Sequence, residues 1–191
     1  MASEANPNTA HTPQQKLHEL IPPQKLFPDE DPVVFQGLRS ALLQDLVPVS
    51  AYERVLAENL VSLEWESLRC RNRRDALIWA EYRTQAINAF QDGLFYSFLA
   101  TEPDPKAKAL GFDLVGSDPE KRTVAESKLA ELEISPTELL AKAWASVARL
   151  IDPLERMLAE IEPRRRKLRA DYDRLIALSV LPINDFDVLP A

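Results

Sequence analysis

The sequence predicts an all-α protein: a long antiparallel helical hairpin, coiled-coil-like, with short flanking helices and a mobile N-terminal arm. Counting back from Leu175 in alternating threes and fours lands on Tyr172, Leu168, Arg165, Ile161, Leu158, Leu154, Ile151, Val147, Trp144 and Leu140, an apolar stripe that only Arg165 interrupts. A heptad seam of this kind belongs to one helix lying against another long helix, and at 1.5 Å per residue about 40 residues span roughly 60 Å. Hydrophobic content of 46% with only 4 Gly against 15 Pro suits long helices with firm punctuation better than Gly-rich strand turns. No proline falls between Pro48 and Pro103, which leaves room for the partner helix.

Residues 1–30 hold Pro7, Pro13, Pro22, Pro23 and Pro28 among polar residues. That composition buries too little apolar surface to offset its ordering entropy, so a mobile arm is expected. Its one sticky stretch, Leu20 to Phe27, is suited to strapping across the helices. The helical domain is expected over 31–181. Asp31 is an N-cap with Pro32 in the first helical position, where its missing N–H costs nothing. Phe35, Leu38, Leu42 and Leu46 give that short helix one apolar face, and Pro48 ends it near residue 47.

Ser50 and Glu53 then form a capping box for a helix from 51 to about 99. Its seam runs Leu56, Leu60, Leu63, Cys70 and Leu77, with Ser67 and Arg74 as interruptions, before shifting to Trp79, Tyr82, Ala86, Phe90 and Leu94. Pro103, Pro105, Gly111 and Gly116 mark residues 100–117 as an irregular connection. Ser117-Asp118-Pro119 starts a short helix to about Leu132, and Ser135-Pro136 caps the last long helix. The heptad phase passes through Pro153 and Pro163 without slipping, which predicts kinks rather than breaks. Residues 182–191 read as an irregular tail.

A net charge of -7 and a pI near 5.0 argue against wholesale coating of nucleic acid or an anionic membrane. No apolar run approaches membrane-spanning length, so no membrane partner is expected. The single cysteine, Cys70, excludes an intramolecular disulfide, and a cytoplasmic setting follows. His11 and His18 both fall in the arm, where no catalytic base or ligand can be held in geometry. No Glu-x-x-His pair and no phosphate-binding glycine motif occurs. No catalytic residue, metal site or cofactor is therefore expected.

The one unusual charge feature is a pair of basic clusters, Arg69, Arg71, Arg73 and Arg74 on the second helix and Arg164, Arg165, Arg166, Lys167 and Arg169 on the last. With hairpin ends near 99 and 136, position 70 falls opposite 165, and the two clusters share one level. Together they form a candidate collar for anions, since closely spaced guanidiniums make bidentate phosphate contacts. The competing reading is internal pairing with Glu64, Glu66, Glu160 and Glu162. Arg165, lying on the seam, is expected close to Arg74 in height and neutralised by a carboxylate such as Glu66 or Glu162.

The stretch Asp29-Glu30-Asp31-Pro32-Val33-Val34-Phe35, then Leu38 to Leu46, Pro48, Glu53, Leu56, Trp65, Arg69 and Arg73, with the arginine-rich Glu162 to Arg174, resembles an uncharacterised bacterial helical family. The resemblance implies a helical fold and a bacterial source, and no catalytic residues. Many of its members begin with a basic segment containing His-Gly-Leu, which this chain lacks.

These features predict a non-enzymatic interaction or scaffold protein that self-associates, because Trp65, Trp79, Phe90, Phe95, Tyr96 and Phe98 spread over more than one helix face. The expected partner is another copy of the chain or another protein. The alternative is a nucleic-acid-associated factor, of the kind a mobile element could carry, gripping phosphates through the two arginine clusters.

Overall fold

A computed structural model describes residues 24–93 and 102–180; most of the predicted arm, both histidines, Leu94, Phe95, Tyr96, Phe98 and the predicted tail lie outside the described residues. Among the described residues there are five helices and no strand: α1 (Pro32–Leu46), α2 (Ala51–Gly93), α3 (Pro105–Val115), α4 (Pro119–Glu131) and α5 (Pro136–Val180). The protein is all-α.

Every helix starts at a side-chain cap. Asp31 accepts from the Val33 N–H at 2.7 Å, Asp104 from Lys106 at 2.7 Å and Asp118 from Glu120 at 3.0 Å, each with proline in the first turn. The Ser135 hydroxyl accepts from Thr137 at 3.2 Å to open α5. At α2 the capping box forms as read: the Glu53 N–H donates to Ser50 Oγ at 3.1 Å, and the Glu53 carboxylate accepts from the Ser50 N–H at 3.1 Å and the Val49 N–H at 2.6 Å.

Glu53 is buried, and the Val49 N–H above all, opposed by burial and aided by Ser50, holds its carboxyl below the ordinary 4.5. A lowered carboxyl pKa contributes stability that is complete above the ordinary value and is lost as pH falls through the lowered one. Glu53→Gln should therefore lower stability by about 1 kcal/mol near neutrality, the difference between a charged and a neutral acceptor. Thermal melts of both proteins should show this gap constant above pH 5 and closing under acid. A gap that widens under acid would contradict the assignment.

Two elements differ from expectation. Within the stretch expected to be an irregular connection, Pro105–Val115 is helix α3. Asp104-Pro105 carries the same cap signature as Asp31-Pro32, and Gly111 sits inside the helix where Ile87 leaves no room for a Cβ. At the other proline-rich stretch, α5 runs unbroken through Pro153 and Pro163. The carbonyls those prolines leave unpaired belong to exposed Arg149 and Ala159, where water can serve them.

The described chain resolves into two compact units, and α2 and α5 contribute to both. One unit holds α1, α2 up to Leu68 and α5 from Glu160. Here Leu46 of α1 packs with Leu56, Ala57, Leu60 and Tyr172, while Phe35, Val61 and Trp65 form a second group that Leu26, from the predicted strap, joins. Phe35 and Trp65 meet edge to face with centroids 5.1 Å apart. The seam holds its alternating spacing: Leu56, Leu60, Leu63 and Ser67 are buried on α2, and Ile161, Arg165, Leu168, Tyr172 and Leu175 are buried or half-buried on α5. The two segments run antiparallel, with 60 near 172 and 64 against 165.

The other unit holds the rest of α2, α3, α4 and α5 to Ala159. Its core is Tyr82, Ala86, Phe90, Ala107, Leu114, Ala125, Leu129, Leu139 and Ala143, beside a smaller group of Ile78, Val147 and Ile151. Burying a side chain such as Phe90 or Leu129 contributes about 1.5–3 kcal/mol. The predicted heptad fails here. Buried positions step by four on both helices, Ile78, Tyr82, Ala86, Phe90 against Leu139, Ala143, Val147, Ile151, which are the rows used in ordinary globular helix crossings rather than in a coiled coil. Because α3 and α4 pack onto the Leu139 and Ala143 edge, the predicted seam residues Leu140 and Trp144 are left on the surface, Trp144 being 42% exposed.

Candidate anion and partner-binding surfaces

The two basic clusters fall in different units, four residues on α2 and five on α5. Arg165 spans two carboxylates, Nη1 to Glu64 at 2.6 Å and Nη2 to Glu162 at 3.0 Å. The Glu64 bond first, then Glu162, raises its pKa further, so it is permanently charged. Glu162 was an expected partner; Glu64 takes the place expected of Glu66. Arg74 bonds Asp75 at 2.8 Å and Glu155 at 3.1 Å, which likewise raises its pKa.

These pairs correct the predicted register. Residue 165 was expected opposite 70, but Glu64 stands there, six residues earlier in α2. Arg74 against Glu155 shows the same offset, since 155 was expected opposite 80. Each seam arginine therefore meets acid across the interface instead of another arginine.

Of the remaining basic residues, Arg166 reaches Glu162 at 3.7 Å and Arg169 bonds Asp173 at 2.9 Å. Arg69 is half-buried and Arg73 exposed; Arg71, Arg164 and Lys167 are exposed and make no ion pair among the described residues. Arg165, Arg166 and Arg169 come together at a cleft, about 430 Å³, floored by Leu42, Leu46 and Leu60 and shared with Glu64 and Asp173. Exposed pairs of this kind contribute at most about 1 kcal/mol. Chemically, the three arginines at this cleft each have a carboxylate within ion-pair distance.

A second cleft, about 610 Å³, lies in the unit built on α3 and α4. Trp79, 54% exposed, meets Tyr82 edge to face at 5.6 Å, and Leu114, Val115 and Leu140 extend this apolar wall. Arg83 and Arg122 stand on it with Glu126. The Arg83 guanidinium lies 4.6 Å from the Phe112 ring centroid, and Arg122 Nη2 donates to the Gly116 carbonyl at 2.5 Å. Neither arginine pairs with a carboxylate among the described residues. Burial first, and the charge of Glu126 second, keep the Tyr82 phenol above its ordinary 10. Sequence reasoning missed this site because its charges are isolated in the chain and converge only through α3. The overlooked signal was the Asp104-Pro105 cap.

Among the described residues no group of three His, Cys, Asp or Glu is placed to hold a metal ion, and no helix is long and apolar enough to cross a membrane. No family model, curated protein or solved structure matches the chain, so the bacterial-family resemblance rests on its motif spacings.

Proposed function

We propose that this is a non-enzymatic helical interaction protein that associates with a second copy of itself. The observation that supports it most is an uncovered apolar row on α5: Leu150 is 60% and Met157 40% exposed, with half-buried Leu154 between them at helical spacing. Three apolar side chains on one stripe of a helix lose favourable burial as long as they face water. An isologous contact between two copies would bring each row against its own symmetry mate.

The nucleic-acid reading has less support. Four of the nine basic residues that motivated it, Arg74, Arg165, Arg166 and Arg169, have carboxylates within ion-pair distance, so releasing them toward phosphate means giving up those pairs.

Mass measurement by light scattering at micromolar concentration should give twice the 21.6 kDa of the chain. Leu150→Lys with Met157→Lys should return it to the monomer mass while leaving helicity unchanged, since both side chains already face solvent. A monomer at every concentration would rule the reading out.

A further inference from the structure

We propose that the cleft of the α3–α4 unit is a docking site for an acidic, apolar peptide segment of a partner protein. The proposal rests on the reading of this chain as an interaction protein, but not on its self-association. The cleft's volume of about 610 Å³ is that of a ligand site. One wall is aromatic and aliphatic, from Trp79, Tyr82 and Leu140, and takes up an apolar side chain.

Charge sets the rest of the occupant's chemistry. Arg83 and Arg122 are ionised, stand on the cleft, and have no carboxylate partner among the described residues, unlike the arginines of the other cleft. Pro136 and Thr137 also line it, so the first turn of the 45-residue α5 adds the positive end of its dipole. Glu126 is the one acidic residue of the lining, which leaves a net charge of plus one. That suits a carboxylate, while Glu126 opposes a dianionic phosphate. An Asp or Glu side chain within a turn of a large apolar residue would reach both features, with the guanidiniums as charge-assisted donors.

The test is selection from a phage-displayed library of random twelve-residue peptides on the full-length chain, followed by affinity measurement on the enriched sequence. The expected result is enrichment of peptides pairing Asp or Glu with Trp, Phe, Leu or Ile. Arg83→Gln with Arg122→Gln should weaken binding about tenfold for each guanidinium lost, and Trp79→Ala should weaken it as well. Replacing the peptide's acids by lysine should abolish it. No enrichment, enrichment of basic or uncharged peptides, or unchanged affinity in both variants would overturn the proposal. A strictly monomeric protein that still selected acidic, apolar peptides would remove self-association and leave this site standing.

Discussion

Replacing Tyr172 by alanine should cost about 3–5 kcal/mol of stability, the range for deleting a buried aromatic. Tyr172 is 2% exposed and packs between Leu46 of α1 and Leu56, Ala57 and Leu60 of α2. Its hydroxyl donates to the Leu46 carbonyl at 2.7 Å, in a buried setting. Leu46 is the last residue of α1, where carbonyls lose their helical partners. The next residue, Val47, adopts φ 48° and ψ 54°, a left-handed conformation unfavourable for a β-branched side chain. One phenol thus fills the core and satisfies the end of α1 beside that strained cap.

Tyr172→Phe separates the two roles. It keeps the packing and strands the Leu46 carbonyl, for a loss of about 1–3 kcal/mol. Burial first, and the charge of Glu53 next, hold the phenol above its ordinary 10. A raised phenol pKa gives stability that is complete below the ordinary value and is lost as pH rises through the raised one. The wild-type protein should therefore lose stability above pH 10 more steeply than Tyr172→Phe. Urea titrations measure all three quantities. An alanine variant within about 0.5 kcal/mol of wild type, the range typical of surface changes, would show that α1 does not depend on Tyr172.

The caps explain how much of the fold was legible. Asp31-Pro32, Ser50 with Glu53, Asp118-Pro119 and Ser135-Pro136 are local chemistry, in which a side-chain acceptor meets orphan N–H groups next to it in sequence. Those boundaries could be read without knowing what packs where. Asp104-Pro105 has the same form, but two glycines and two prolines nearby suggested irregular chain. The seam was legible where its residues left one choice. At Ile78-Trp79, Leu139-Leu140 and Ala143-Trp144, adjacent apolar residues offered two faces, and the larger residue was the wrong choice at both tryptophans. Ala143 is fully buried because its small side chain lets α3 and α4 come close, and Trp144 takes the surface. Which neighbour turns inward depends on helices distant in sequence.

The candidate site was legible to a similar degree. Acidic neighbours able to neutralise the arginine clusters were visible in the sequence, since Glu162 lies one turn from both Arg165 and Arg166. Glu64 and Glu155 depended on the register of α2 against α5, which packing sets and a linear count does not. The second cleft depends on four helical segments at once, so nothing in a linear reading brings Arg83 and Arg122 together.

Gly111→Val should destabilise the α3–α4 unit by several kcal/mol, and even Gly111→Ala should be unfavourable at a position where helix propensity alone favours alanine by about 1 kcal/mol. Gly111 lies in the middle of α3 with no left-handed backbone requirement, so its role is steric. A Cβ there would stand 2.3 Å from Ile87 Cγ1 and 3.3 Å from its Cδ1, with the Arg83 carbonyl of α2 at 3.4 Å. The first distance is far inside contact, and it involves a β-branched side chain whose stiff χ1 gives it little freedom to move aside. The Arg83 carbonyl is already at contact distance on another side of the new methyl. Overpacking of this kind typically costs about 1–3 kcal/mol, which outweighs the propensity gain, and valine adds two further methyl groups. Combining Gly111→Ala with Ile87→Ala removes the clash, so the pair should be markedly less destabilising than the sum of its single changes. Denaturant titrations of the four proteins give that coupling directly. If Gly111→Ala proved more stable than wild type, α3 would not approach α2 closely, and the cleft between Arg83 and Arg122 would have to be drawn differently.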